Sequence, residues 1–356
     1  MNILSNIYET TIPKINFHER KKSIEYNFTI LKGGPKSGKT YLIYDYLSKF
    51  KEDDYLYIDF DDYKNDKDEI ALYLDDFIDQ KRIKTVVLEN FDFSFPLPKV
   101  TSIVITTMVD ISLENFNIVF LDPLDFEEYL LFDTKHQNEI QSFNSFLKYG
   151  NFPEIFEFHE NKKGKRNYEI CKLYSNDILD FEILLLFIKN SSQPKSIYQL
   201  YTQLKKTKKI SKDRFYQTAH ILKENHIIFF CQKYNQPKAV KKLFIYNHAL
   251  MDIVSYKKNL NGLFKNMVFL ELYKRYKEIY YLDNIDFYIP NQDLVILTIP
   301  FFNNLIVGNI TKKVLKIVDE YNIKEIKILT ISNQEEFYMD EIKCEVMTFS
   351  NWILSL

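Results

Sequence analysis

Lys39 and Thr40 end the run Gly33-Gly34-Pro35-Lys36-Ser37-Gly38-Lys39-Thr40, which places three of the chain's seven glycines within eight residues at the spacing G-x-x-x-x-G-K-T. Glycines let backbone N–H groups curl round an anion, and a following helix N-terminus adds partial positive charge. A lysine at this place reaches the outer phosphates, and the Thr40 hydroxyl is suited to Mg²⁺. The chemistry implied is the binding of ATP with Mg²⁺ by the eight residues Gly33, Gly34, Pro35, Lys36, Ser37, Gly38, Lys39 and Thr40.

A second constellation lies at Val86-Val87-Leu88-Glu89-Asn90-Phe91-Asp92. An apolar run of this kind ordinarily ends in Asp-Glu, one carboxylate serving the metal and the next the attacking water. Glu89 can reach Mg²⁺ beside Thr40, but an asparagine amide cannot accept a proton. A general base must then come from Asp92 or another carboxylate. Thr106, closing Ile103-Val104-Ile105-Thr106, is a candidate sensor of the γ-phosphate if its strand lies beside the glycine loop. The alternative is a threonine chosen for β-propensity. These residues specify nucleotide binding and predict slow or absent turnover.

The elements that must position them are legible in the apolar pattern. Phe28–Leu31, Tyr55–Phe60, Thr85–Leu88, Ile103–Thr106 and Ile118–Leu121 read as strands, and Ile70, Ala71, Leu74, Phe77 and Ile78 recur at helical spacing. Leu42, Ile43, Leu47 and Phe50 give the loop a following helix. Strand–helix–strand order predicts a parallel α/β sheet with the ligand at the carboxyl ends of its strands.

Composition sets the bounds. At 356 residues the chain has room for about two or three domains. Its 46% hydrophobic content excludes a disordered chain, and no apolar run approaches a membrane span. Three distant cysteines, Cys171, Cys231 and Cys344, predict free thiols and a cytoplasmic location. A net charge of −2 leaves nucleic-acid binding to a local patch.

Asn117-Ile118-Val119-Phe120-Leu121-Asp122-Pro123-Leu124-Asp125-Phe126-Glu127-Glu128-Tyr129-Leu130 resembles the strand and Pro-Leu-Ser-Phe-x-Glu-Phe/Tyr-Leu signature of the prokaryotic AAA+ P-loop ATPases that carry a C-terminal winged helix and a restriction-endonuclease-like domain. Tyr149-Gly150-Asn151-Phe152-Pro153-Glu154 resembles that family's lid motif, and Tyr57-Ile58-Asp59-Phe60-Asp61-Asp62 its second strand. The resemblance implies a P-loop ATPase domain over residues 1–133, a helical lid over 134–190, a winged helix over 191–236 and a nuclease-like domain over 237–356. Two departures bear on catalysis. The Asp-Glu pair is Glu89-Asn90 here, and no arginine lies between Arg82 and Arg166 to act as a finger.

In the winged-helix segment, Ile197, Leu200, Tyr201 and Leu204 form one helical face, Ser211 is placed to cap a second helix, and Ile227–Phe230 reads as a strand. Lys205, Lys206, Lys208, Lys209, Lys212 and Arg214 put six basic residues in ten positions, the candidate DNA contact. A solvated lysine-rich turn is the plain alternative. Further on, Phe264–Leu272 is similar to the family's helix, with Glu271 its carboxylate, and Ile285–Ile289 to the strand that bears Asp286. The next strand, Leu294–Phe301, has neither the glutamate nor the lysine a nuclease needs. A helix over Lys312–Tyr321 and strands over Ile323–Ile331 and Glu345–Phe349 complete the expected third. The domain is expected to be degenerate, without nuclease activity, and to serve contact with a protein partner.

Overall fold

The computed structural model describes residues 2–136, 138–175, 177–303, 305, 307–321, 323–339 and 342–355. It divides into two compact units: Met1–Asp122 with Glu224–His226, and Pro123–Lys223 with Ile227–Leu356.

The first unit contains α1 (Asn2–Glu9), β1 (Phe28–Lys32), α2 (Lys39–Leu47), β2 (Tyr55–Asp59), α3 (Lys67–Lys81), β3 (Thr85–Glu89), β4 (Ser102–Thr106) and β5 (Asn117–Phe120). All five strands fall within a residue or two of their expected places. They form one parallel sheet in the order β2-β3-β4-β1-β5. Alternate residues serve its two faces, as a strand's period of two requires. Ile58, Val86, Leu88, Ile103 and Ile105 pack with Ile70, Leu74, Phe77 and Ile78 of α3 and Leu4 of α1. Leu31, Val87 and Val104 face Leu42, Ile43 and Leu47 of α2. Asp66 opens α3 by accepting the Asp68 and Glu69 N–H groups.

The second unit begins with α4 (Phe126–Phe132), α5 (Glu139–Tyr149), α6 (Glu160–Lys172), α7 (Ile178–Lys189), α8 (Ile197–Lys205) and α9 (Lys212–Glu224). It continues through β6 (Ile228–Lys233), β7 (Lys242–Ile245), α10 (Leu250–Ile253), α11 (Leu260–Arg275), β8 (Tyr280–Leu282), β9 (Ile285–Ile289) and β10 (Leu294–Thr298). The last elements are α12 (Val307–Tyr321), β11 (Glu325–Thr330), β12 (Glu335–Met339), β13 (Ile342–Thr348) and α13 (Phe349–Leu354). Its strands join in the order β12-β13-β11-β10-β9-β8-β6-β7. One apolar core runs from Leu124 and Phe126 through α7, α8, α9 and α11 to Trp352. The opposite sheet face, with Val295, Leu297, Ile326 and Ile328, is covered by Ile310, Val314, Ile317 and Val318 of α12.

Two local differences from expectation have plain causes. The last strand stops at Thr348 because that side chain accepts the Asn351 N–H and starts α13, so Phe349 opens a helix and does not end a strand. Strand β12 was hidden because it is a sheet edge, where Glu335 and Glu336 stand in place of apolar alternation.

Candidate nucleotide site

The loop after β1 has the conformation its glycines permit. Gly33 and Gly38 have φ of 141° and 102°, and Lys36 between them has φ of 63°. A Cβ on Gly33 would stand 2.3 Å from the Leu121 carbonyl oxygen, so only glycine fits there. Gly38 caps α2, which then starts at Lys39 and receives Leu42 N–H on the Gly38 carbonyl at 3.0 Å. Ser37 is wholly buried and its hydroxyl has no hydrogen-bond partner, an open polar group inside the loop.

Lys39 Nζ donates to the Gly33 and Gly34 carbonyls at 2.8 and 3.0 Å. Burial pushes its pKa down to about 8, against the opposing pull of Glu89. Thr40 Oγ1 donates to Glu89 Oε1, and Tyr57 Oη donates to Glu89 Oε2 at 2.5 Å. Burial raises the Glu89 pKa, while the Thr40 and Tyr57 hydroxyls pull it back. A hydroxyl and a carboxylate thus meet at the start of α2. Two hard oxygen donors of this kind fit Mg²⁺, which typically takes one or two protein ligands and completes its shell with phosphate and water. Among the described residues, no group of three or more His, Cys, Asp or Glu is placed to hold a metal by itself.

The other expected catalytic residues are placed differently from one another. Thr106 is buried, and its hydroxyl accepts the Asn90 backbone N–H at 2.8 Å, pinning the turn that follows β3. Asn90 has φ of 57°, a left-handed conformation that asparagine tolerates better than most residues. Asp92 pairs with Lys67 at 2.7 Å, and that bond together with Ser94 holds its pKa down to about 2. Such a carboxylate is a weak base at neutral pH.

Three contributors escaped sequence reasoning. Arg20 reaches the loop from an irregular segment, donating to the Ser37 carbonyl at 2.9 Å and to the Asp122 carbonyl at 2.8 Å. Tyr57 holds Glu89, and its ring meets Tyr44 edge-on at 5.5 Å. Asp59 Oδ1 accepts Asn90 Nδ2 at 2.9 Å. The alternation of β2 carried a signal for Tyr57; nothing local marked Arg20.

In the second unit the basic cluster is divided. Lys208 pairs with Glu182 at 2.6 Å, and Arg214 with Asp177 and Asp180 at 2.6 and 2.9 Å. Lys205, Lys206, Lys209 and Lys212 are exposed, with Lys205 over Tyr201 and Lys212 near Tyr198 and Tyr216. The Ser211 hydroxyl accepts Arg214 N–H at 3.2 Å, the expected cap of α9.

Glu271 and Asp286 have separate partners. Glu271 Oε1 accepts the Phe126 N–H at 2.8 Å, satisfying the first turn of α4. Burial pushes its pKa up to about 7. Asp286 is held by Lys265 Nζ at 2.5 Å and by the Thr298 backbone and hydroxyl at 2.8 and 2.7 Å, with Lys242 at 3.9 Å. Burial alone would raise its pKa, but the two lysines bring it below the ordinary value.

The first unit therefore has the parallel α/β architecture of a P-loop fold, with the loop, Lys39, Thr40 and Glu89 gathered at the carboxyl ends of its strands. No protein-family model matches the chain. It is similar to the uncharacterized protein MJ1544 of Methanocaldococcus jannaschii, at 25% identity over 309 residues covering 71% of this chain and 68% of that protein. Among solved structures it is similar to the Walker-type ATPase PABY2304 of Pyrococcus abyssi, at 12% identity and a TM-score of 0.41 over 64% of this chain and 91% of that one. The ORC1 protein of Aeropyrum pernix, solved in complex with DNA, matches at 12% identity and a TM-score of 0.33 over 65% and 87%. No helix among the described residues is long and apolar enough to cross a membrane.

Proposed function

We propose that this chain binds Mg·ATP in the Gly33–Thr40 loop as an AAA+-type P-loop protein, hydrolyses it slowly, and couples the nucleotide to a domain rearrangement. The observation that carries the reading is the meeting of Lys39, Thr40 and Glu89 behind a glycine loop whose backbone admits no side chain at Gly33. Thr40 and Glu89 would hold the metal, and the metal would supply charge neutralisation at the phosphates. Lys39 contributes its ammonium to the outer phosphates, and the loop N–H groups with the start of α2 receive the inner ones. Slow turnover follows from Asn90, which leaves no carboxylate at the usual place for a base, and from the absence of an arginine finger near β4.

Equilibrium binding of ATP to the wild type and to Lys39→Ala tests this. Affinity is expected to fall by at least about 100-fold, roughly 2.7 kcal/mol, with the melting temperature little changed, because the substitution removes a ligand contact and a half-buried charge but little packed volume. Equal affinity in the variant would refute the assignment.

A second reading is favoured by the four exposed lysines, two of them flanked by Tyr198, Tyr201 and Tyr216. In it the α8–α9 segment is a winged helix that meets DNA when ATP is bound, and no turnover is needed. Anisotropy with duplex DNA across a salt series, with Lys205, Lys206, Lys209 and Lys212 neutralised as control, separates the two. Binding without salt dependence would leave contact with a protein partner through the C-terminal domain. That domain is proposed as a degenerate nuclease-like fold, on the ground that Lys265 and Lys242 already answer the charge of Asp286. Its location with the rest of the chain is proposed as cytoplasmic, in keeping with three buried cysteines that form no disulfide.

A further inference from the structure

We propose that Asp59 supplies the carboxylate that position 90 lacks, and that the Asn90 carboxamide holds it at the nucleotide; this rests on the Mg·ATP reading above. β2 and β3 run parallel with Asp59 opposite Glu89. Neighbouring strands lie only about 4.8 Å apart, so a side chain at the end of β2 reaches the turn that follows β3. It does so here: Asn90 Nδ2 donates to Asp59 Oδ1 at 2.9 Å, and the Asp61 N–H donates to the same oxygen at 3.0 Å. Asn65 Nδ2 fixes the Asp59 backbone carbonyl at 2.7 Å. Among the described residues, the half-buried Asp59 carboxylate is thus oriented by neutral amides, with no ammonium or guanidinium on it.

Two of the neighbouring carboxylates are committed elsewhere. Glu89 takes the Thr40 and Tyr57 hydroxyls. Asp92 is bound to Lys67. Asp61 is exposed. Asp59 Oδ2 and Asn90 Oδ1, by contrast, take no hydrogen bond from the described residues, which leaves one basic oxygen and one amide oxygen open at the same end of the sheet. The amide stands at the end of β3, where a carboxylate is ordinary, and the carboxylate stands on the strand beside it.

In the step this serves, Asn90 Oδ1 accepts one hydrogen of a water molecule and holds it for attack. The water oxygen forms a bond to the γ-phosphorus, and the bond from that phosphorus to the β–γ bridging oxygen breaks, its electron pair leaving with ADP. The second water hydrogen passes as a proton to the Asp59 carboxylate and is later released to solvent. A base that stands one strand away from the ordinary position fits the slow turnover proposed above.

The test uses the full chain and four proteins: wild type, D59N, N90D and the exchanged pair D59N/N90D. ATP affinity and Mg²⁺-dependent phosphate release are measured on each. D59N is expected to keep its ATP affinity within about threefold and to lose phosphate release by at least about 100-fold, a loss in the range general bases contribute. The exchanged pair is expected to recover release to within several-fold of wild type or better, because carboxylate and amide have only traded strands. D59N turning over at the wild-type rate overturns the proposal. So does D59N losing affinity and release together without recovery in the exchanged pair, which would make Asp59 a scaffold residue. A wild type that binds ATP through Lys39 and releases no phosphate also overturns it, while leaving the binding reading intact. Absence of Lys39-dependent binding is the separate result that overturns the reading of the loop itself.

Discussion

Glu89 in the first unit and Asp286 in the second are both carboxylates drawn largely out of water by a sheet, and both accept a hydroxyl, yet only Asp286 has an ammonium bonded to it. Glu89 is met by two hydroxyls, Thr40 and Tyr57. Asp286 is met by the Lys265 ammonium at 2.5 Å, with Lys242 behind it at 3.9 Å. Hydroxyls satisfy hydrogen-bonding capacity and leave the charge to be answered by a cation. Ammonium groups answer the charge itself. The difference separates a carboxylate that can still take Mg²⁺ from one whose place for a metal has been filled by protein.

The largest effect that would break this comparison is expected at Asp286. Asp286→Asn keeps the shape and the Thr298 contact but strands two partly buried lysines, which costs about 3 kcal/mol of stability, the low end for breaking a buried pair. Nucleotide affinity should not change. Chemical denaturation with parallel ATP titration reads both. Glu89→Gln should do the converse, raising the Mg²⁺ needed for ATP binding by about tenfold, on the order of 1.4 kcal/mol, while the unfolding midpoint stays near wild type. A D286N chain as stable as wild type would mean that the lysines do not depend on the carboxylate.

Much of the first unit was legible because its signals are local. The glycine loop fixes its own conformation within eight residues, and the five strands announce themselves by β-branched runs such as Thr85-Val86-Val87-Leu88. Glu89 beside Thr40 was reachable by the same logic, since the apolar run aims its last residue at the ligand end of the sheet. The partners of those residues were not legible. Asp59 meets Asn90 across 31 positions only because β2 and β3 share a register, and Arg20 arrives from a segment with no periodicity. Likewise Lys208 and Arg214 read as phosphate contacts until α7 brings Glu182, Asp177 and Asp180 to them. Spacing reports which groups a short stretch offers; pairing across the fold decides how much of their charge remains available.

Glu271 sharpens the comparison further, being a buried carboxylate that among the described residues accepts one backbone N–H and no ammonium or hydroxyl, with its second oxygen unpartnered and Lys274 and Arg275 acting on it only through their charge. Its pKa is pushed up to about 7 by burial, above the ordinary value it has in the unfolded chain. The folded state therefore keeps a proton that the unfolded state gives up, and stability falls as pH rises from the ordinary glutamate value to about 7, then levels off. Glu271→Gln retains an acceptor for Phe126 N–H and cannot ionise. Its stability should be flatter across that interval and exceed wild type at pH 7.5 by about 2 kcal/mol. Urea unfolding at pH 5, 6, 7 and 8 would show it, and parallel curves for the two proteins would place the titrating group elsewhere.

The smallest expected effect concerns Lys39, the cation that faces Glu89. Burial holds its pKa down to about 8 in the free protein, and a bound triphosphate favours the ammonium and moves that value up. Below pH 8 the lysine is charged with or without ligand, so affinity should be level. Above pH 8 binding must take up a proton, and affinity should fall by up to about tenfold per pH unit. The terminal phosphate is fully ionised in that range and contributes no slope of its own. Titrations at pH 7, 8 and 9 measure the profile, and Lys39→Arg supplies the control, since a guanidinium stays charged throughout. The arginine variant is expected to bind more weakly, its longer planar group fitting the loop less well, but with no pH dependence above 8. A wild-type profile as flat as that of the variant would show that Lys39 keeps its proton in the empty loop, and that Glu89 and the loop carbonyls offset its burial fully.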